Sequence, residues 1–134
     1  MTMFRARQAM GRAVQGVVLV APDGFSARYD LDRAAGVFSR PTHKLAGQSY
    51  VGKVLVLETA KGGVATAWML HEMAARGVVP LALVFNSVNP ILAQGAAFGD
   101  VPMLAGFDVD ITRAIPNGAA VALDPAAHTI TVME

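Results

Sequence analysis

The sequence has no cysteine, so disulfides, thiol nucleophiles and cysteine-held metal or iron–sulfur clusters are excluded on this chain. It has no surplus of charge either: 11 Lys and Arg stand against 10 Asp and Glu. No global field therefore draws in nucleic acid or an anionic membrane. No apolar run approaches the about 20 residues that a membrane span requires. The start, MTMFRARQAMGRAVQG, lacks the apolar block and small-residue cleavage site of a signal peptide. A cytoplasmic location is the expectation, with residues 1–10 as a loose N-terminal extension. Histidines occur only at 43, 71 and 128, without ligand spacing, and the acidic residues are scattered, so no metal set or acid/base pair is assigned. No internal repeat or low-complexity segment is present.

What the chain does have is apolar material, 54% of 134 residues, enough for the core of one domain spanning residues 1–134. Gly16 to Val20 reads as a buried strand ended by the turn cluster Ala21-Pro22-Asp23-Gly24. Phe25 to Arg40 fits edge strands or a surface loop. Gly52 to Leu57 is the next strong strand, and it runs into Lys61-Gly62-Gly63. Val64 to Arg76 favours helix, with Glu72 and Arg76 spaced for an i, i+4 pair and Gly77 placed for a left-handed C-terminal cap. Trp68 and Met69 belong to its buried side and His71 to its narrow polar stripe. Pro80 to Phe85 repeats the buried-strand pattern, and Asn89-Pro90 opens a short helix to about Ala97. The Val54 and Leu81 strands are expected to be parallel neighbours. Val101 to Leu104 is a further short strand. Asn117-Gly118 marks a turn, and Ala119 to Leu123 with Thr129 to Val132 reads as a hairpin joined through Pro125 to His128. The fold class is α/β, a β-rich sandwich with a central parallel βαβ unit.

A strand that ends in glycines and feeds a helix suits an anion, because glycine admits a ligand to the backbone and the first helical N–H groups point outward. Lys61 adds positive charge. The P-loop pattern GxxxxGK[ST] is absent, as is the third glycine of a dinucleotide fingerprint, so a plain tight turn and an anion loop stay open together. His43, in PTHKLAGQS, is either a loop histidine with a structural hydrogen bond or a proton-transfer group. Asn89 either starts a helix or offers an amide at a strand's C-terminal end, where open α/β sheets bind ligands.

The order of motifs is more informative than any one of them. GRAVQG, HKLAGQS, GKVLVLETAKGGVATAWML, RGVVPLALVF and NPILAQGAAFGDVP together resemble the small, swivelling-domain component of the aconitase X family, over roughly Gly11 to Val132. The resemblance implies a swivelling β/β/α domain that caps a larger subunit carrying an iron or iron–sulfur centre, with no cofactor on this chain. The pair would be a heteromeric hydro-lyase removing water from a hydroxy acid, of the class of cis-3-hydroxy-L-proline or phosphorylated mevalonate, and the small chain would be inactive alone. The family's proton-abstracting serine aligns with Gly63, which has no side chain to move a proton. Lys61, Thr66 and His43 are then the candidates for catalysis, and Lys61, Gly62, Gly63, Val64 and Asn89 for substrate binding. The alternative is a non-catalytic binding or regulatory module of the same fold that lost the serine. Gly62 to Ala67 is also similar to the GGxxSH turn of phosphohistidine swivelling domains, but the phosphorylated position would be Ala67, which cannot carry phosphate.

Overall fold

Val54-Leu55-Val56-Leu57 and Ala82-Leu83-Val84-Phe85 are apolar at every position, which suits strands covered on both faces. Both are strands in the computed structural model, which describes residues 2–22, 31–32, 35–39, 43–59, 72–87 and 101–133. In chain order these carry β1 (Thr2–Arg5), β2 (Gln8–Met10), β3 (Val14–Val20), β4 (Leu31–Asp32), β5 (Val37–Phe38), β6 (Val54–Thr59), β7 (Ala82–Ser87), β8 (Met103–Ala105), β9 (Ala120–Asp124) and β10 (Thr129–Met133). A short helix, Ile111–Ala114, follows β8, and residues 72–76 are helical. The helix expected over Pro90 to Ala97 and the first part of that over Val64 to Arg76 lie outside the described residues.

The main sheet has the order β1-β10-β9-β3-β6-β7-β8-β2, while β4 and β5 form a separate pair. Strands β3, β6, β7 and β8 run parallel, with Val18 opposite Val54, Val54 opposite Ala82, and Leu83 opposite Met103. The expected parallel neighbours are therefore adjacent. Pairings β1 to β10, β10 to β9, β9 to β3 and β2 to β8 are antiparallel.

Alternation along the parallel strands sorts side chains by shape. Val18, Val20, Val54, Val56 and Val84 pack with Val121, Leu123 and Ile130, so the antiparallel part of the sheet folds back over the valine face. Leu55, Leu57, Leu83 and Phe85 pack with Phe38, Leu45, Tyr50 and Met73, the last from the helical residues 72–76. This is a β/β/α layering, as expected. Burying a side chain of this size contributes about 1.5–3 kcal/mol, so the two clusters on either side of the parallel strands are the main source of their stability. Among the described residues no helix is long and apolar enough to cross a membrane.

The turn chemistry follows the sequence closely. Gly77 has φ +74°. Its N–H reaches Ala74 O at 3.2 Å, while Val78 N–H reaches Met73 O at 3.0 Å, the paired bonds of a left-handed helix cap. Arg76 meets Glu72 at 2.8 Å, i to i+4. Strands β9 and β10 form the expected hairpin around a 3-10 turn, Pro125–Ala127, and His128 sits in its connection at φ +60°.

One expectation is corrected. Residues 2–10 are not a loose extension: β1 pairs with β10, β2 pairs with β8, and these partners stand at opposite ends of the sheet order. The link between them is held by Ala6 N–H to His128 O at 2.7 Å and Arg7 N–H to Gly106 O at 2.8 Å, with Ala6 buried. These edge strands keep one side in water, as Met3 at 64% exposure shows, so their sequence carries little apolar signal. The helix Ile111–Ala114 was also unforeseen. It is too short for a periodic pattern and rests instead on its cap, Asp110, which accepts from Thr112 N–H.

Candidate functional site

Of the residues singled out from sequence, Lys61, Gly62, Gly63, Val64, Thr66 and Asn89 lie outside the described residues. The strands that lead to them do not. Strands β6 and β7 end in the polar pairs Glu58-Thr59 and Asn86-Ser87, and Thr59 and Ser87 form a rung of their parallel ladder. Lys61 and Asn89 each follow that rung by two residues in sequence.

The strand ends are laced by side chains. Asn86 Oδ1 accepts from Ile111 N–H at 2.8 Å, and this orientation of the amide sends Nδ2 to Glu58 Oε2 at 2.6 Å and to Asp110 Oδ1 at 2.8 Å. Asp110 Oδ1 also receives the Thr112 N–H at 3.1 Å and its hydroxyl at 2.7 Å, and Oδ2 faces Arg113 at 3.5 Å. The Thr112 hydroxyl, then the Asn86 amide, hold the Asp110 carboxyl below its ordinary value of 3.8 against the opposing effect of desolvation. Beside it, Ser87 Oγ donates to Thr59 Oγ1 at 3.1 Å, and Thr59 Oγ1 donates to Ser87 O at 3.1 Å.

This edge is where open α/β sheets present ligands, at the carboxyl ends of parallel strands. It offers hydroxyls, an amide and two carboxylates, a set suited to orienting a polar substrate. Among the described residues, no third His, Cys, Asp or Glu joins Glu58 and Asp110 in a metal-holding group. Sequence reading found neither carboxylate as part of a site, since they stand 52 positions apart. The available signal was the repetition of a polar pair directly after two equivalent apolar runs, VLVL-ET and ALVF-NS.

His43 is the sequence candidate that the described residues contain. It is buried at 5% exposure, its ring stacks on Phe38 with centroids 4.7 Å apart, and Nδ1 accepts from Leu45 N–H at 3.1 Å. A neutral imidazole in this arrangement carries its proton on Nε2. The hydrogen bond to Leu45 engages one ring nitrogen within the loop. At the opposite ends of the parallel strands lies a groove of about 470 Å³ bordered by Arg12, Val51, Gly52, Pro80, Leu81 and Val101, among others.

Comparison with known proteins places this architecture. The chain is 33% identical over 112 residues to the phosphomevalonate dehydratase small subunit of Methanopyrus kandleri, covering 84% of this chain and 83% of that one. It is 25% identical over 131 residues to the phosphomevalonate dehydratase small subunit of Thermococcus kodakarensis, covering 98% and 96%. The crystal structure of Thermococcus kodakaraensis aconitase X in its holo-form superposes with a TM-score of 0.91 at 25% identity, covering the whole of both chains. Residues 3–132 match the model of the aconitase X swivel domain, and the chain belongs to that family.

Proposed function

We propose that this chain is the small subunit of an aconitase-X-type dehydratase, inactive alone and completed by a large subunit that carries an iron or iron–sulfur centre. The observation that carries the reading is the end-to-end likeness to proteins named as small subunits, 84% of this chain against 83% of the relative. Those relatives act on phosphomevalonate by name, so a phosphorylated hydroxy acid is the first substrate to test. Dehydration removes a proton and a hydroxyl from neighbouring carbons, and the partner's metal centre would supply the Lewis acidity for loss of the hydroxyl. This chain's part is positioning. The amides of Gly62, Gly63 and Val64, with the Lys61 ammonium, hold the substrate's carboxylate or phosphate, and Asn89 adds an amide from the neighbouring strand end. The register of Thr59 with Ser87 supports this, because both segments leave the same rung of the sheet.

Gly63 denies this chain the family's serine base. Thr66, Lys61 and His43 are the residues proposed to move the proton, Lys61 requiring a pKa depressed by burial or a second cation. The test is co-expression with the cognate large chain and assay of phosphomevalonate dehydration. Lys61→Ala should raise KM or lower turnover by at least about tenfold, the loss expected for a charge-assisted contact to an anion. Unchanged kinetics would remove Lys61 from the site. The glycine at 63 also favours a second reading, a binding or regulatory module descended from the enzyme. A Gly63→Ser chain that gains dehydratase activity from an inactive wild-type pair would establish that reading, and one that impairs an active pair would exclude it.

A further inference from the structure

The network at the strand ends converges on one side chain. Asn86 contacts Glu58 on β6 and both Asp110 and Ile111 at the start of the helix Ile111–Ala114, while itself belonging to β7. The strands do not need this tie, since their backbone ladder continues one step past Asn86 to the rung of Thr59 with Ser87. The core does not need it either, since Asn86 is only half-buried and asparagine is poorly suited to a strand. What the amide adds is orientation. It fixes one oxygen of the Glu58 carboxylate, brings the Asp110 carboxylate to the same NH2 group, and takes the first amide of the helix. Without a donor between them, two carboxylates at such close quarters repel and turn apart.

We infer that Asn86 is a positioning residue of the site proposed above, setting the Glu58 carboxylate and the helix start against the end of β6, the strand that Lys61-Gly62-Gly63 follow in sequence. This rests on the dehydratase reading and assigns a residue that the family's serine motif does not include. On that reading the anionic end of the substrate is assigned to Lys61 and the glycine amides, so the contribution of Asn86 falls on the geometry of reaction more than on affinity. A displacement of about 1 Å in such a group can slow turnover by up to about 100-fold.

Asn86→Asp is the discriminating variant. It preserves shape and the acceptor for Ile111 N–H, and it converts the shared donor into a third carboxylate beside Glu58 and Asp110, with Arg113 the cation facing Asp110. In the complex with the large subunit, kcat should fall about 10-fold to 100-fold with KM changed by less than about threefold. Adding Glu58→Gln restores an amide–carboxylate contact between β6 and β7 with its direction reversed, and should return part of the lost kcat. Wild-type kcat and KM in Asn86→Asp, with only a lowered melting temperature, would make the residue merely structural and overturn the proposal. A change confined to KM would overturn it as well. Failure of the wild-type pair to dehydrate any hydroxy acid would instead overturn the dehydratase reading. The contact itself is checked on the small chain alone by amide exchange: Asn86→Leu should speed exchange at Ile111 by at least about tenfold, and unchanged exchange would show that the bond on which the inference stands is not formed.

Discussion

The two ends of the parallel strands are held in different ways. At the amino ends, Gly52 N–H reaches Val79 O at 3.2 Å, Leu81 N–H reaches Lys53 O at 2.8 Å and Leu83 N–H reaches Pro102 O at 2.9 Å. These backbone bonds are backed by Tyr50, fully buried, whose hydroxyl donates to Val78 O at 3.3 Å. At the carboxyl ends the backbone ladder, which runs to the rung of Thr59 with Ser87, is supplemented by side-chain ties from Glu58, Asn86, Asp110, Thr59 and Ser87, all half-buried or exposed. Backbone bonds and apolar packing tolerate many sequences and respond little to pH. Side-chain networks at a surface add little net stability and are changed by single substitutions or by protonation. One end is backbone and apolar core, and the other adds a polar side-chain network to its ladder.

The largest effect expected from disturbing this contrast is at the amino end. Tyr50→Ala removes a buried ring packed edge-on against Phe38, with centroids 6.1 Å apart, and should cost about 3–5 kcal/mol in denaturant unfolding. The folded fraction of a reconstituted pair should keep its wild-type KM. A smaller loss follows from Gly77→Ala, where φ is +74° and a Cβ would meet no atom within 4 Å. The penalty is then conformational, about 1 kcal/mol, measurable as a lower thermal midpoint.

Smaller still is the acid response of the carboxyl end. The Asp110 carboxyl is held below its ordinary 3.8, so its contribution is present above that value and is lost as pH falls through the lowered one. Between about pH 6 and about pH 2.5 the wild type should lose slightly more stability than Asp110→Asn, which keeps a capping oxygen but no longer titrates. Identical acid limbs would show that the carboxylate is not stabilised in the fold. The least effect is that of Glu72→Ala, which breaks an exposed i, i+4 pair and should cost about 0.3–0.5 kcal/mol, vanishing at high salt.

How far the fold could be read in advance tracks how much each element depends on local chemistry. The apolar runs at 54–57 and 82–85, the cap at Gly77 and the hairpin turn before Thr129 were all foreseen, because apolar pattern and turn residues act within a few positions. Strands β1 and β2 were not, because what makes them strands is the edges of β10 and β8, more than ninety residues away. The candidate residues divide in the same manner. Lys61-Gly62-Gly63 and Asn89 stand out in the sequence as local motifs, whereas Glu58, Asn86 and Asp110 are unremarkable singly and become a network only when the strands align.

By itself, then, the sequence determined the absence of cysteine, the all-apolar strands that must be covered on both faces, the turn positions and the lack of a side chain at Gly63. The tertiary structure alone decided which polar residues share an edge. Hydrogen bonds of 2.6 to 2.8 Å among Glu58, Asn86, Asp110 and Ile111 require groups from three separate elements to meet. That meeting is set by the parallel register and by packing of the helix Ile111–Ala114 against β6 and β7, which no local pattern encodes.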